Sequence, residues 1–569
     1  MIVTFSVDVP LMPQPRVQIR PRRRPPLHFL PLGGCGEIGM NLNLYGYAEK
    51  EHEDRWIAVD CGMMIRQDLP DSPLQVPDLA TLDTLGIAPE ALIITHGHED
   101  HIGAAAWLWP QWGCPIHATP LAAGLLRAKF AERGLSQSAI HVIEPGEALS
   151  VGPFGLRYLP LTHSIPESCA LLITAGSHRV LHTGDWKLDP EPLIGPAVEA
   201  ELYRALAPVD LVVGDSTNAP LPGHSRSEGE VADALARAIE GCQGRVVVSC
   251  FASNLARVLA ISRAAERCGR RVALMGRSME RMVGVARGLG YLDDMPPLVP
   301  ISDMGYLPPQ EVLVIATGSQ GEPRAALSRL ARGRHPHVEL EAGDSVIFSS
   351  KAIPGNERLI ERLKRGLSHL GVSLLDESNH AELHASGHPA QEELATLYGW
   401  TRPRHLLPVH GEPRHQQAHQ SLAQSLDIAA PLIPRNGDMI RLDGEGLHLE
   451  ARHAQTPRII HQDEVARLPG LGGGEARHGQ LHLALTVMAT DQGWTRIGRL
   501  LLDASETSPL DEDAFIDWLD DCLDDIQVES LADLRLALRP RMLAWFGDHL
   551  RRMPEIHLQI LAAEAEVSG

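Results

Sequence analysis

No apolar run in the 569 residues approaches the roughly 18 that would cross a bilayer, which excludes a helical membrane protein. A basic segment followed by an apolar stretch, the pattern of a secretory signal, is missing at the N-terminus, so a cytoplasmic location is expected. The eight cysteines, Cys35, Cys61, Cys114, Cys169, Cys242, Cys250, Cys268 and Cys522, are scattered with no CxxC pair. That excludes a cysteine zinc site and a disulfide framework, and leaves reduced, mostly buried thiols. Positive charge is also short: the formal net charge is −21, which argues against coating nucleic acid by bulk attraction. A few focused arginines and bound cations can still hold a polyanion. No internal repeat is evident. With 44% hydrophobic and 22% charged residues, the chain has the composition of a globular protein long enough for several folding units.

What the chain does have is THGHEDH, Thr95 to His101, placing His96, His98, Asp100 and His101 within six positions between the apolar run Ala91 to Ile94 and the segment IGAAAWLW. A loop from a buried strand into a helix lets the four side chains converge, and neutral imidazoles with carboxylate are donors that zinc prefers. Three further candidates follow apolar strands: His163 in LTHSIPES, Asp185 in LHTGDWKLD and His410 in LLPVHGEP. Each alone reads equally as a hydrogen-bonded structural residue. Together, strand ends aimed at one edge are where a two-ion site is assembled, and the two oxygens of Asp185 suit a bridge.

Short strands and turns fill the stretch from Leu27, and WIAVDCG brings Asp60 near a strand end. A helix is expected over Leu121 to Leu135. After Leu211 to Gly214 the pattern changes to RVVVSCF, RRVALMG, EVLVIATG and SVIFSS separated by helical segments, a doubly wound arrangement that reads as an insertion. The pattern of the first stretch returns near His384. Beyond the glycine-rich LPGLGGGEARHG, LHLALTV reads as a strand with Leu481, Leu483, Leu485 and Val487 on one face. Phe515, Trp518, Leu519, Cys522, Leu523 and Ile526 recur at helical spacing with aspartates opposite, which is packing. A helix near Leu534 to Leu550 and a strand at Ile556, Leu558 and Ile560 complete a small α+β unit. The glycines of GGCGEIG superficially resemble a dinucleotide loop, but a strand, turn, strand context favours tight turns. Arg324, Arg329, Arg332 and Arg334 fit either an RNA channel or a solvated helix face.

The seven candidate ligands match the HxHxDH loop, later histidine, bridging aspartate and final histidine of the metallo-β-lactamase superfamily. DSTNA from Asp215, FASN at Phe251 to Asn254, ATGSQGEPRAALSRLA from Ala316, IPGNE from Ile353 and HASGHPAQEEL from His384 follow in order. On these the chain resembles, from about Leu27 to about Leu442, the β-CASP family of RNA-processing nucleases, and within it the ribonuclease J group. The resemblance implies an αββα sandwich with an inserted doubly wound β-CASP domain and a small α+β C-terminal domain. It divides the chain into a basic, proline-rich leader (1–26), the two parts of the sandwich (27–217 and 376–450), the β-CASP domain (218–375), a linker (451–478) and the C-terminal unit (479–569). The leader reads as a flexible, solvated extension, or as a segment that touches RNA.

By that resemblance His96, His98 and His163 bind one divalent ion, Asp100, His101 and His410 the other, and Asp185 both. Zinc is the expected metal, with manganese or magnesium as alternatives. Histidine rather than valine at position 410 is the RNA-processing pattern. The resemblance further implies that Asp100 or Asp185 accepts or orients the proton of an attacking water held between the ions, and that His388 stabilises or protonates the leaving 3′ oxygen. Apart from the resemblance, His388 reads as readily as a turn histidine. Ser253, Asn254 and Leu255, and His384, Ala385, Ser386, Gly387 and His388, are implied substrate contacts. Single-stranded RNA with a 5′ monophosphate is the implied substrate, cut 5′ to 3′ with some endonucleolytic action, in RNA maturation and decay. A homodimer or homotetramer and RNA-decay proteins are the implied partners, and no membrane. Departures at Lys351, Ala352 and Trp186 remove no ligand. The competing readings are another hydrolase of the superfamily, acting on a thioester or lactam, and a non-catalytic RNA-binding or scaffold paralogue.

Overall fold

The structure, a computed structural model, describes residues 25–48, 54–65, 74–323, 325–353, 356–460, 480–490, 493–505, 512–526, 528, 531–549 and 555–562. Nearly all of the expected leader, Arg324 and the glycine-rich LPGLGGGEARHG stretch therefore lie outside the described residues. Two sheets form the first body. The eight-stranded one runs in the order Gly446–Arg452, Asp438–Asp443, Leu27–Gly33, Leu42–Tyr47, Arg55–Val59, Pro89–Ile93, Ile116–Ala118 and Ile140–Val142. The six-stranded one runs His405–Val409, Leu211–Asp215, His178–His182, Cys169–Ala175, Phe154–Pro160 and Ala148–Val151.

Alternating residues of both sheets interdigitate in one apolar layer: Phe29, Tyr45, Ile57 and Val59 from the first meet Leu156, Tyr158, Ile173, Val180 and Val213 from the second. The outer face of the first sheet is covered by the helix Pro120–Glu132 through Leu121, Leu125, Leu126 and Phe130. Leu394, Leu397, Tyr398 and Ala423, from the helices Gln391–Thr401 and Pro413–Ser425, cover the second with the wholly buried Trp186. This is the four-layer αββα sandwich. Each fully buried large apolar side chain adds about 1.5–3 kcal/mol of favourable transfer energy, which is why both sheets read as near-continuous apolar runs.

The inserted body is a five-stranded, wholly parallel sheet in the order Arg271–Met275, Val312–Ala316, Val246–Ser249, Ser345–Phe348 and Ser373–Leu375. Helices Glu228–Glu240, Leu255–Arg267, Arg277–Gly288, Ala326–Ala331 and Glu357–His369 connect its strands. The chain re-enters the sandwich as His405–Val409, which lies parallel to Leu211–Asp215 with Asp215 opposite Val409. Strands nearly two hundred positions apart thus become neighbours, and their ends deliver Asp215 and His410 to one place.

A buried ionic network ties the insertion to the sandwich. The Lys187 ammonium lies 2.8 Å from Asp189 and 4.0 Å from Glu228, and Glu228 accepts from the Arg257 guanidinium at 3.0 Å through both oxygens. All four side chains are buried. Arg257 also donates to the carbonyl of Ser349, and the Ser349 hydroxyl donates to that of Leu383, just before His384.

The C-terminal unit is a three-stranded sheet, Gly493–Ser505, Gln480–Thr490 and Glu555–Ala562, with helices Glu512–Asp525 and Leu531–His549. Val487, Phe515, Trp518, Leu519, Cys522, Leu523 and Ile526 form its core with Leu534, Leu538 and Phe546. Two expectations need correction. Residues 451–460, read as the start of the linker, are structured: Arg458–Ile460 pairs antiparallel with Leu74–Val76, its apolar Ile460 buried. Arg329, Arg332 and Arg334 line neither a channel nor a free face, because they pair with Asp517, Asp521 and Asp520 of the C-terminal unit. The aspartate face opposite the Phe515 stripe is their counterpart. All eight cysteines are free, six of them buried.

Replacing Arg257 by alanine strands the Glu228 carboxylate in the interior, which costs about 3–5 kcal/mol. The first thermal unfolding transition of the full chain is expected to fall by several degrees; an unchanged transition would contradict the role given to this network.

Candidate metal centre

THGHEDH leaves the strand Pro89–Ile93 at the edge where Asp60 ends the neighbouring strand. Asp60, fully buried, accepts from the Thr95 backbone N–H at 2.8 Å and from the Thr95 hydroxyl at 2.9 Å. With its one proton committed to Asp60, the Thr95 hydroxyl accepts from Nδ1 of His96 at 2.9 Å. Nε2 of His96 then carries a bare lone pair. On His163, Nδ1 donates to the Gly387 carbonyl at 2.6 Å, so its Nε2 is bare as well. The two face Nδ1 of His98 at 3.1 and 3.0 Å. Burial first, and then the neighbouring imidazoles, hold His96 and His163 well below the usual histidine range, and burial holds His98 down to about 4. Three neutral imidazoles therefore converge, two of them with their N–H turned outward and a lone pair turned in, a donor set that suits a cation.

A second group lies alongside. His101 donates from Nδ1 to Asp60 at 2.7 Å, and its Nε2 is 3.2 Å from Asp185 and 3.5 Å from Asp100. Nε2 of His410 is 3.2 Å from Asp100, while its Nδ1 lies 2.9 Å from the Thr217 hydroxyl and 3.6 Å from Asp185. Three sets of side chains with their donor atoms within 4.8 Å of one another could each hold a cation: His96, His98, His163 and Asp185; Asp100, His101, Asp185 and His410; and Asp185, Asp215, His388 and His410, of which the first two together contain the seven sequence-derived candidates. The structure thus brings all seven sequence-derived candidates together, with Asp185 common to both clusters. The donor chemistry fits divalent cations, and the second cluster is the harder, more oxygen-rich of the two.

His101 and His410 are protonated more readily than ordinary histidines: burial opposes the charge, but Asp185 and the other surrounding carboxylates outweigh it. Conversely, burial alone would raise the carboxyls of Asp100, Asp185 and Asp215, and the neighbouring histidines pull them below the usual carboxylate range.

His388 stands at the rim. Its Nδ1 lies 2.8 Å from Asp215 and 3.9 Å from Asp185, and its charged form is favoured because Asp215 outweighs burial. Gly387 is required where it is, since a Cβ there would sit 2.6 Å from Cε1 of His163. Ser386 accepts from the Asn218 side chain and from the His388 backbone N–H. Ala385 is buried. His384 is half-buried with its Nδ1 shielded and unpartnered, and desolvation followed by Arg257 lowers it to about 3. Of the other expected contacts, Ser253 is half-buried; Asn254 caps the helix Leu255–Arg267 and donates to Glu228, and Leu255 is buried in the apolar core.

Asp60, Thr95, Asp215 and Thr217 were not among the sequence-derived site residues. The signal was present for Asp60 and Asp215, each an acid closing an apolar strand as Asp185 nearly does, but neither stands near a histidine in sequence.

Three family matches cover most of the same span: the Metallo-beta-lactamase superfamily over residues 47–237, the Ribonuclease J beta-CASP domain over 243–367, and the Zn-dependent metallo-hydrolase RNA specificity domain over 380–431. The chain is 45% identical over 422 residues to a ribonuclease J of Sinorhizobium meliloti, covering 73% of this chain and 74% of that one. To ribonuclease J of Mycolicibacterium smegmatis it is 42% identical, covering 71% and 72%. For that of Thermus thermophilus the figures are 39% identity and 74% of each chain. A crystal structure of a protein of unknown function from Enterococcus faecalis shares the fold at a TM-score of 0.51 and 15% identity, over 73% of this chain and all of that one.

Cation uptake by the two clusters should depend on pH differently. The imidazoles of the first are already neutral, with His98 titrating only near 4, whereas a cation entering the second displaces protons from His101 and His410. Below their raised values, affinity of the second cluster falls about tenfold per pH unit for each proton displaced. Titrating the metal-free protein with Mn²⁺ from about pH 6 to about pH 8 should strengthen one binding class steeply and the other little. Equal slopes would contradict the assignment.

Proposed function

The chain belongs to the ribonuclease J family, and on that premise we propose that this metal-dependent ribonuclease degrades single-stranded RNA from a 5′ monophosphate end, 5′ to 3′, with some internal cleavage. Its place is in RNA maturation and decay. The observation that carries this reading is the convergence of the two cation-ready clusters on Asp185, with His388 3.9 Å away on the Gly387 loop.

Divalent ions at the clusters, zinc in our reading and manganese or magnesium as alternatives, supply charge neutralisation for a pentacovalent phosphate and acidify a water. The protein's own groups do the rest. His96, His98 and His163 would hold one ion and Asp100, His101 and His410 the other, with Asp185 available to both. Asp100, with 28% of its side chain exposed, is the ligand open enough to orient the attacking water and take its proton. Asp185, nearly closed off, serves the bridge.

His388 donates a proton to the departing 3′ oxygen. Asp215 fits it for that task, since a hydrogen-bonded carboxylate stabilises the imidazolium and fixes the ring. His384, Ser386 and Gly387 precede the helix Gln391–Thr401, whose N-terminus is already capped by the Glu393 carboxylate, so contacts to a phosphate fall to the loop's own groups. The unpartnered Nδ1 of His384 and its neutral ring suit one N–H bond to a phosphate oxygen. Of the segment Ser253 to Leu255, the half-buried Ser253 is the residue left to meet a substrate, because the N–H groups of Asn254 and Leu255 bond the carbonyls of Phe251 and Ser253. In this reading the body over 218–375 closes over RNA lying against the sandwich, and assembly into dimers or tetramers is part of the proposal.

Replacing Asp100 or His101 by alanine should lower hydrolysis of 5′-monophosphorylated RNA by at least about a thousandfold, given what two-ion sites supply. Activity within tenfold of wild type would defeat the mechanism. On one RNA labelled at its 5′ end, immediate mononucleotide release from the monophosphate form and slow release from the triphosphate form are expected. Internal fragments produced equally from both would overturn the proposed end preference.

A further inference from the structure

The GGCGEIG segment has so far been only a turn between the strands Leu27–Gly33 and Leu42–Tyr47, but it touches the second cluster from three sides. The Gly34 carbonyl accepts from the His410 backbone N–H at 2.6 Å, and the Glu37 carbonyl accepts from that of Gly411 at 2.9 Å. At the far end of the turn, the Asn41 amide donates to the Asp100 carbonyl at 3.0 Å and lies 3.1 Å from Nε2 of His101. Gly34 has φ +85°, and a Cβ there would fall 2.3 Å from the Asn41 side chain, so only glycine lets the loop fold back on itself at this point.

His410 needs such a frame. It occupies the left-handed region, at φ +49°, which a non-glycine residue holds only when its surroundings fix it. Two backbone hydrogen bonds from the loop supply that, provided the loop itself stays put. One side chain anchors it across the chain: Oε1 of Glu37 accepts from the Asn436 amide at 2.7 Å and from the Gly34 N–H at 3.4 Å, while the Asn436 carbonyl oxygen accepts from the Cys35 N–H at 3.0 Å. Asn436 is itself fixed, because the next residue, Gly437, donates to the Pro31 carbonyl at 2.7 Å. On the other side of His410, the Gln416 amide bonds the carbonyls of Pro408 and Pro434. Glu37 belongs to neither cation-ready cluster. Its carboxylate acts on the segment that carries a ligand, not on a cation.

We propose that Glu37, through its bridge to Asn436, is a positioning residue for the His410 turn, and that it sets the cation affinity of the Asp100, His101, Asp185 and His410 cluster without setting that of the His96, His98 and His163 cluster. The inference rests on the two-cluster reading above and deepens it. A residue that merely held the fold together would affect both clusters alike, because both hang on the same sandwich.

The test is titration of the metal-free full chain with Co²⁺, followed by visible absorption, for wild type, Glu37→Ala, Glu37→Gln, Asn436→Ala and His410→Ala, with thermal unfolding as the check on folding. Glutamine keeps an acceptor oxygen for Asn436, so Glu37→Gln should bind both equivalents nearly as wild type does. Glu37→Ala and Asn436→Ala should lose about tenfold or more in the class that His410→Ala removes, the usual range for groups that orient a ligand, with the other class unchanged. If Glu37→Ala does not fold, Asn436→Ala decides, since it breaks the same bridge from the other side. Unchanged affinity for both equivalents in the alanine variants overturns the proposal, as does a glutamine variant as weak as the alanine one, or equal weakening of both classes. A wild-type protein that takes up only one equivalent overturns this proposal and the two-cluster reading together; two equivalents bound with wild-type affinity by the alanine variants overturn this one alone.

Discussion

The bare Nε2 lone pairs of His96 and His163 both face Nδ1 of His98, at 3.1 and 3.0 Å, and a neutral His98 has one N–H to offer the two of them, so the contact is strained unless a positive charge lies among them. The protein arranges this contact with care. Each outward nitrogen of His96 and His163 is occupied as a donor, by Thr95 and by the Gly387 carbonyl, so neither ring can relieve the contact by changing tautomer. Much of the architecture follows from that constraint: ligands must come from several strand ends, and each must be held by a group that is itself held. Asp60 is the deepest of these. It fixes Thr95 and through it His96, and it takes the proton of His101, so one buried carboxylate orients a ligand in each cluster.

The insertion serves the same constraint from the other side. Because His405–Val409 returns beside Leu211–Asp215, the strand that ends in Asp215 and the one that ends before His410 point the same way, and Asp215 reaches both His388 and His410. The loop carrying His384 to His388 is then pinned at both ends, by Ser349 and Arg257 behind Leu383 and by Asn218 and Ser225 at the His388 carbonyl. A loop pinned at both ends between two bodies keeps His388 at a fixed distance from Asp185, as the proton donation proposed for it requires.

The seven ligand candidates and most strands were legible in the sequence for one reason: each ligand stands directly after an apolar run, and strands buried on both faces leave long apolar runs. The groups that orient the ligands were not legible. Asp60, Asp215 and Thr217 act through contacts across 35 to 193 positions, Thr95 holds the adjacent His96 only because Asp60 takes its proton, and nothing in local composition distinguishes an aspartate that holds a histidine from one that ends a strand. The arginines 329, 332 and 334 failed differently. A basic helix edge reads alike whether it meets RNA, water or an acidic helix, and only the docked C-terminal unit separates the three. Leu255 and Asn254 show the reverse limit: the segment matched, but burial assigns its side chains to the core and to a helix cap.

Two anchors of different chemistry hold the inserted body to the sandwich. Lys187, Asp189, Glu228 and Arg257 form one, dry and ionic, close behind the His384 loop. The other lies beyond His163, where the Tyr291 hydroxyl of the inserted body bonds Glu167, whose second oxygen takes the Leu121 backbone N–H at the start of a sandwich helix. Glu167 sits four residues after His163 with φ +63°, so the contact with the inserted body bears on the same short loop that carries a ligand. A buried charge network resists movement because separating its members leaves charge uncompensated, whereas a half-exposed phenol and carboxylate exchange partners with water at little cost. The ionic anchor therefore holds the His384 loop against the sandwich, and on the Tyr291 side the polar contact is backed by an apolar cluster in which Leu121 and Leu125 of the sandwich join Val283 and Ala286 of the inserted body.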